Sequence, residues 1–114
     1  MEDLIIEILS IFNYPIIRQG SMPENEQYPD HFFTFWNRNS DSDDFLDNDE
    51  HSIEYEYDLN FYSIDPGKTY EMLIKAKSLL KSHDFICSGE GHDVASDEAT
   101  HTGRGISILY NRQI

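Results

Sequence analysis

From Ile53 to Phe61 the chain alternates without a break: Ile53, Tyr55, Tyr57, Leu59 and Phe61 share one parity, and Glu54, Glu56, Asp58 and Asn60 share the other. A period of two sends successive side chains to opposite faces of a strand, so this segment reads as a half-buried strand with one apolar and one mainly acidic face. At about 3.3 Å per residue such a strand is long enough to be the backbone of a sheet. A sheet with one apolar face must be covered by a second layer.

Two segments supply that layer. Leu4, Ile5, Ile8, Leu9 and Phe12 recur at helical spacing with Glu2, Asp3 and Glu7 between them, which predicts a helix over 2–13, ended by Pro15. Its early acids suit the positive end of the helix dipole. Asp65 followed by Pro66 is a helix start, with the carboxylate as N-cap and the proline where a missing N–H is harmless. Thr69, Met72, Leu73, Ala76, Leu79 and Leu80 then form an apolar stripe, and Lys75, Lys77 and Lys81 lie toward the C-terminal end, predicting a helix over 66–83.

The remaining segments read as strands and loops. Pro15 to Gly20 forms a short strand, and Ser21 to Asp30, with two prolines, a loop. Phe32, Phe33, Phe35 and Trp36 make His31 to Asn37 a strand with apolar residues on both faces, suited to the middle of a sheet. Asp41, Asp43, Asp44, Asp47, Asp49 and Glu50 crowd the next stretch, so an exposed, mobile acidic loop is expected over about 39–51. Phe85 to Ser88 reads as a short strand, Gly89 to Gly103 as a long polar connection, and Gly105 to Asn111 as a closing strand with Ile106, Ile108 and Tyr110 on one face. The expectation is a single α+β domain over 1–114 in the order α-β-β-β-α-β-β. Its sheet is mixed and mainly antiparallel, with about four or five strands and two helices on one face.

Charge narrows the function classes. Asp and Glu number 22 against 8 Lys and Arg, a formal net charge of −14, which repels phosphate backbones and disfavours direct nucleic-acid binding. Cys87 is the single cysteine, so no intrachain disulfide forms and a reducing cytoplasm is the expected setting. The apolar N-terminal stretch carries acids where a signal peptide carries Lys or Arg, and it is too short to span a bilayer.

Chemistry-bearing residues form no familiar constellation. The acids of 41–50 invite a calcium reading, but Phe45 and Leu46 occupy the middle and no Gly provides the turn that an EF-hand loop needs. His83, Cys87, His92 and His101 lack the close pairing of zinc ligands, and Cys87 beside Phe85 and Ile86 reads as a small buried hydrophobe. The stretch from Gly91 to Gly105 holds Ser96, Asp97, Glu98 and His101, yet no nucleophile elbow surrounds Ser96 and Gly103-Arg104-Gly105 is too short to cradle a phosphate. There Gly103 and Gly105 are expected to allow unusual backbone angles, with Arg104 pairing nearby carboxylates. The expectation is a non-enzymatic protein without cofactor or metal.

The helix leading into Asn13-Tyr14-Pro15, the strand Phe32-Phe33-Thr34-Phe35-Trp36-Asn37 and the stretch Asp93 to Gly105 together resemble the tail terminator, or tail-completion, proteins of long-tailed bacteriophages and prophages. The resemblance runs over nearly the whole chain. It implies a structural virion protein, made in the bacterial host cytoplasm and resident in the tail neck. Such a subunit forms a ring, commonly a hexamer, caps the head-proximal end of the tail tube and mediates head–tail joining. The implied partners are copies of itself, the tail-tube protein and the head connector or stopper protein. Another neck component, such as a stopper or connector, and a small non-viral interaction module are the alternatives. Arg104, Asp97, Glu98 and His101 are the candidate contacts to subunits or partners, and Glu54, Glu56 and Asp58 the candidates to line a channel and repel passing DNA.

Overall fold

A computed structural model describes residues 1–19, 28–46 and 49–113. The alternating strand lies at the centre of a five-stranded sheet ordered β1-β2-β3-β5-β4. Here β1 is Ile16–Arg18, β2 His31–Leu46, β3 Asp49–Ser63, β4 His92–Val94 and β5 Thr102–Gln113. β1 runs parallel to β2 and the other three pairings are antiparallel, so the sheet is mixed. Two α-helices, α1 (Glu2–Leu9) and α2 (Pro66–Lys81), complete an α+β fold.

Register decides which side chains meet. Phe33 lies opposite Phe61 and Phe35 opposite Leu59, while β5 sets Ile106 against Leu59 and Ile108 against Tyr57. These residues join Ile5, Ile8 and Leu9 of α1 and Met72, Leu73, Ala76 and Leu80 of α2 in one buried cluster. Their side of the sheet is the core face. Residues of the other parity, among them Phe32, Thr34, Trp36, Asp58 and Tyr62, form the outer face.

Local chemistry sets the ends of the elements. α1 stops at Leu9 and tightens into a 3₁₀ turn over Ser10–Phe12 that ends at Asn13, whose φ of 61° is left-handed, a conformation Asn tolerates. The Pro15 carbonyl then accepts from the Phe33 amide at 2.8 Å and starts the parallel pairing of β1 with β2. Tyr14, between these features, packs on Phe61, and its hydroxyl accepts from Lys68 Nζ at 2.9 Å, tying α2 to the chain reversal. At the start of α2 the Asp65 carboxylate accepts from the Gly67 amide at 3.0 Å, the N-cap expected from Asp-Pro.

Three expectations are corrected. The acidic segment is ladder rather than loop: β2 continues to Leu46 and β3 begins at Asp49, with pairs running from Asn39 opposite Glu56 to Leu46 opposite Asp49. Asp has low strand propensity, but pairing along a long partner strand overrides it. Asp47 and Asn48, like much of the expected loop over 21–30, lie outside the described residues. Second, Phe85 to Ser88 makes only one bridge, Ile86 to Leu109, because Phe85 and Cys87 are drawn into the core. The edge strand beside β5 is β4, within the expected polar connection. Third, positive φ falls at Gly89 and Gly91, not at Gly103 or Gly105. Those two sit in regular strand, and their missing side chains make room for the Tyr62 ring and the Asn60 amide.

Where β2 leaves the body of the sheet, Arg38 is an extra residue between the pairs Asn37 with Tyr57 and Asn39 with Glu56. Such a bulge bends and twists the ladder. Beyond it β2 and β3 continue as an arm, flanked by β5 as far as the pair of Ser52 with Gln113 and two-stranded only past that point, and the molecule measures 53 × 29 × 23 Å.

Candidate functional site

The outer face carries the polar chemistry of the sheet. Trp36, 48% exposed, donates from Nε1 to Asp58 Oδ2 at 2.7 Å. Arg38, at the bulge, reaches Glu56 at 3.1 Å and Asp58 at 3.7 Å, and Ser107 Oγ lies 3.5 Å from Asp58 Oδ1. The three expected channel-lining acids therefore differ. Glu54 is exposed, whereas Glu56 and Asp58 are part-buried and share one guanidinium, which offsets part of their charge.

Toward the β4 end of this face the rings of Tyr28, Phe32, Tyr62 and His101 gather. Phe32 stacks on its cross-strand partner Tyr62 at 5.2 Å between centroids and touches Tyr28 at 5.7 Å and His101 at 5.9 Å. His101 Nε2 lies 2.8 Å from the Pro29 carbonyl, which only accepts, so Nε2 carries a proton. Ring and carbonyl together hold the 28–30 segment on the sheet. Beside Phe32 a cavity of about 100 Å³ opens between Ile17, Gln19, Thr34, Tyr62, Tyr28 and Asp97. Burial and the Asp97 carboxylate raise the pKa of the Tyr28 phenol, and burial raises that of Tyr62, so both hydroxyls stay protonated.

Arg104 lies elsewhere. It pairs with Asp93 at 3.0 Å, as the sequence suggested, and donates to the carbonyls of Glu90 and Gly91 at 3.0 and 3.3 Å. Its guanidinium also sits 5.1 Å from the centroid of the Tyr70 ring on α2. Gly91, at a φ of +79°, approaches the Gly105 backbone so closely that any side chain would collide with it. Arg104 is thus a staple between β4, β5 and α2, opposite Phe61 in register.

The four residues expected to make contacts do not form one patch. His101 and Asp97 flank the aromatic cluster on the outer face, Glu98 is exposed with its amide donating to Ser96 Oγ at 3.2 Å, and Arg104 is held within the subunit. Sequence reasoning missed Tyr28, Thr34 and Tyr62. Tyr62 continues the acidic parity of the Ile53 to Phe61 pattern, which marks it for the outer face, but nothing local singles out Tyr28. Among the described residues no group of three or more His, Cys, Asp or Glu is placed to hold a metal ion. Burial raises the pKa of Cys87, the chemistry of an inert thiol. No helix among the described residues is long and apolar enough to cross a membrane.

No protein-family model matches the chain, and no curated protein matches it.

Proposed function

We propose that this protein is a structural subunit of a phage tail neck, a tail terminator that assembles with copies of itself on the head-proximal end of the tail tube and prepares it for head joining. The resemblance of its Asn13-Tyr14-Pro15 and Phe32 to Asn37 segments motivates the reading, and the arm is the observation that carries it. β1 pairs with β2 only as far as Phe35, and β5 pairs with β3 only from Ser52 onward. Among the described residues the tip of the arm beyond Ser52 therefore has two strands and no third strand on either edge. A two-stranded ladder is marginal in water, and an open edge is a template for another chain. An arm of this kind gains stability by seating on a neighbour, which suits a protein whose work is assembly. Exposed apolar residues at Ile11, Trp36 and Ile86 add contact surface outside the arm.

The test trims the arm. Replacing residues 42–53 by Asn-Gly closes a two-residue hairpin on the Asp41 and Glu54 pair and keeps the core strands. The trimmed protein is expected to fold, to fail to co-sediment with the tail-tube protein, and to leave phage with unjoined tails of irregular length. Normal particle yield with the trimmed arm overturns the reading. Unjoined tails of normal length would replace it with a stopper or connector role.

A further inference from the structure

The cavity on the outer face has a chemical bias that neither the fold nor the proposed assembly role requires. Its walls are aromatic and aliphatic: Tyr28 and Tyr62 on either side of Phe32, and Ile17 of β1. The polar groups that reach it are oxygen acceptors and amphoteric side chains. Thr34 Oγ1 is buried in a residue only 8% exposed and makes no hydrogen bond of full geometry, the nearby Tyr62 hydroxyl being its one interaction, so its oxygen keeps lone pairs free to accept a donor. Asp97 supplies an exposed carboxylate whose hydrogen-bond partner among the described residues, the Tyr28 hydroxyl, lies at 3.4 Å, beyond the usual range for an O–H donor. Among the described lining residues there is no Lys, Arg or His.

From aromatic faces, the Asp97 carboxylate and the accepting lone pairs of the buried Thr34 oxygen we infer that this cavity binds the primary ammonium end of an unbranched alkyl chain. A cation is attracted by the negative faces of aromatic rings and by Asp97, and an ammonium brings three donors, enough to engage both Asp97 and Thr34 Oγ1. A volume of about 100 Å³ leaves room for a short alkyl chain and its ammonium head. The alkylammonium can come from the lysine side chain of a partner or from a free polyamine, and the chemistry of recognition is the same for both.

Titration of the full chain with n-pentylammonium, followed by amide and aromatic NMR shifts, tests the site. Saturable shifts confined to Ile17, Tyr28, Phe32, Thr34, Tyr62 and Asp97 are expected, with 1-pentanol binding at least tenfold more weakly. Asp97→Asn is expected to weaken binding by about tenfold or more, in line with loss of a charge-assisted bond. Thr34→Val should weaken it less, about threefold to tenfold, and fills the same volume without the accepting hydroxyl. Melting temperatures check that both variants fold; should one fail to, the other and the comparison with pentanol still decide. Equal affinity for the alcohol and the ammonium, unchanged affinity in Asp97→Asn, or shifts spread over all acidic surfaces overturns the proposal. So does an absence of shifts at tens of millimolar ligand. Nα-acetyl-lysine methylamide and spermidine, run in parallel, separate the two sources: preference for the blocked lysine assigns a partner's side chain, and preference for spermidine a free polyamine.

Discussion

Leu59 shows at the scale of one residue how the fold is held. It sits on the central strand with Phe35 on one side and Ile106 on the other, is fully buried, and faces the helices through the shared cluster. Leu59→Ala leaves a cavity that three elements would have to collapse together to fill, so a loss of about 2 to 5 kcal/mol is expected in chemical denaturation. A loss below about 1 kcal/mol would mean that the core relaxes freely around β3. Arg104 presents a different case. Its donors are spent on Asp93 and on two carbonyls of the 90–91 turn, so Arg104→Ala would strip partners from all of them and from the Tyr70 face. We expect a melting temperature lowered by several degrees, about 1 to 3 kcal/mol, because the pair is partly exposed and screened. That cost makes Arg104 a poor probe of any partner contact, since its loss disturbs the fold first.

At the scale of elements, some pieces were legible in the sequence and some were not. β3 and α2 could be read because each pairs a strong period with a local signal: strict alternation for β3, and Asp65-Pro66 with a stripe from Thr69 to Leu80 for α2. β4 was hidden because three residues, His92 to Val94, carry no period, and their strand exists only because Gly103 to Gly105 lie beside them. The aromatic cavity was hidden for a related reason: Tyr28, Thr34 and Tyr62 belong to three separate segments that only register and the His101 to Pro29 bond bring together. The arm was hidden by charge, since a dense run of Asp reads as loop by composition. Its register also sets Asp41 opposite Glu54, a like-charged cross-strand pair. Such pairs are destabilising, so Asp41→Thr is expected to raise stability by about 0.2 to 1 kcal/mol, read as a shift in denaturation midpoint with an unchanged slope. A decrease would place Asp41 among interactions other than repulsion.

At the scale of the whole molecule, charge is unevenly spread and sets how copies meet. Each chain carries −14, so six chains in the proposed ring carry 6 × −14 = −84. Four of the eight basic residues, Lys68, Lys75, Lys77 and Lys81, lie on α2, where Lys75 already pairs with Glu71 and Lys68 with the Tyr14 hydroxyl. The 22 carboxylates of each chain outnumber its 8 bases, so the net interaction between two copies at long range is repulsive. Two terms then compete as copies approach. Repulsion between net charges acts over a distance that falls from about 10 Å at 0.1 M salt to about 3 Å at 1 M. Attraction between open strand edges and exposed apolar residues such as Ile11 and Ile86 is short-ranged and is not weakened by salt in that way. Self-association of the purified protein should therefore be weak at low ionic strength and grow as salt rises, with sedimentation velocity showing larger species at 1 M than at 0.05 M. Removing carboxylates should mimic salt, so the double variant Asp41→Asn with Glu54→Gln should associate at lower ionic strength than the parent. Association that instead dissolves as salt rises would mean that unlike charges hold the copies together. The α2 lysines meeting a neighbour's carboxylates would then replace the arm as the contact to test first.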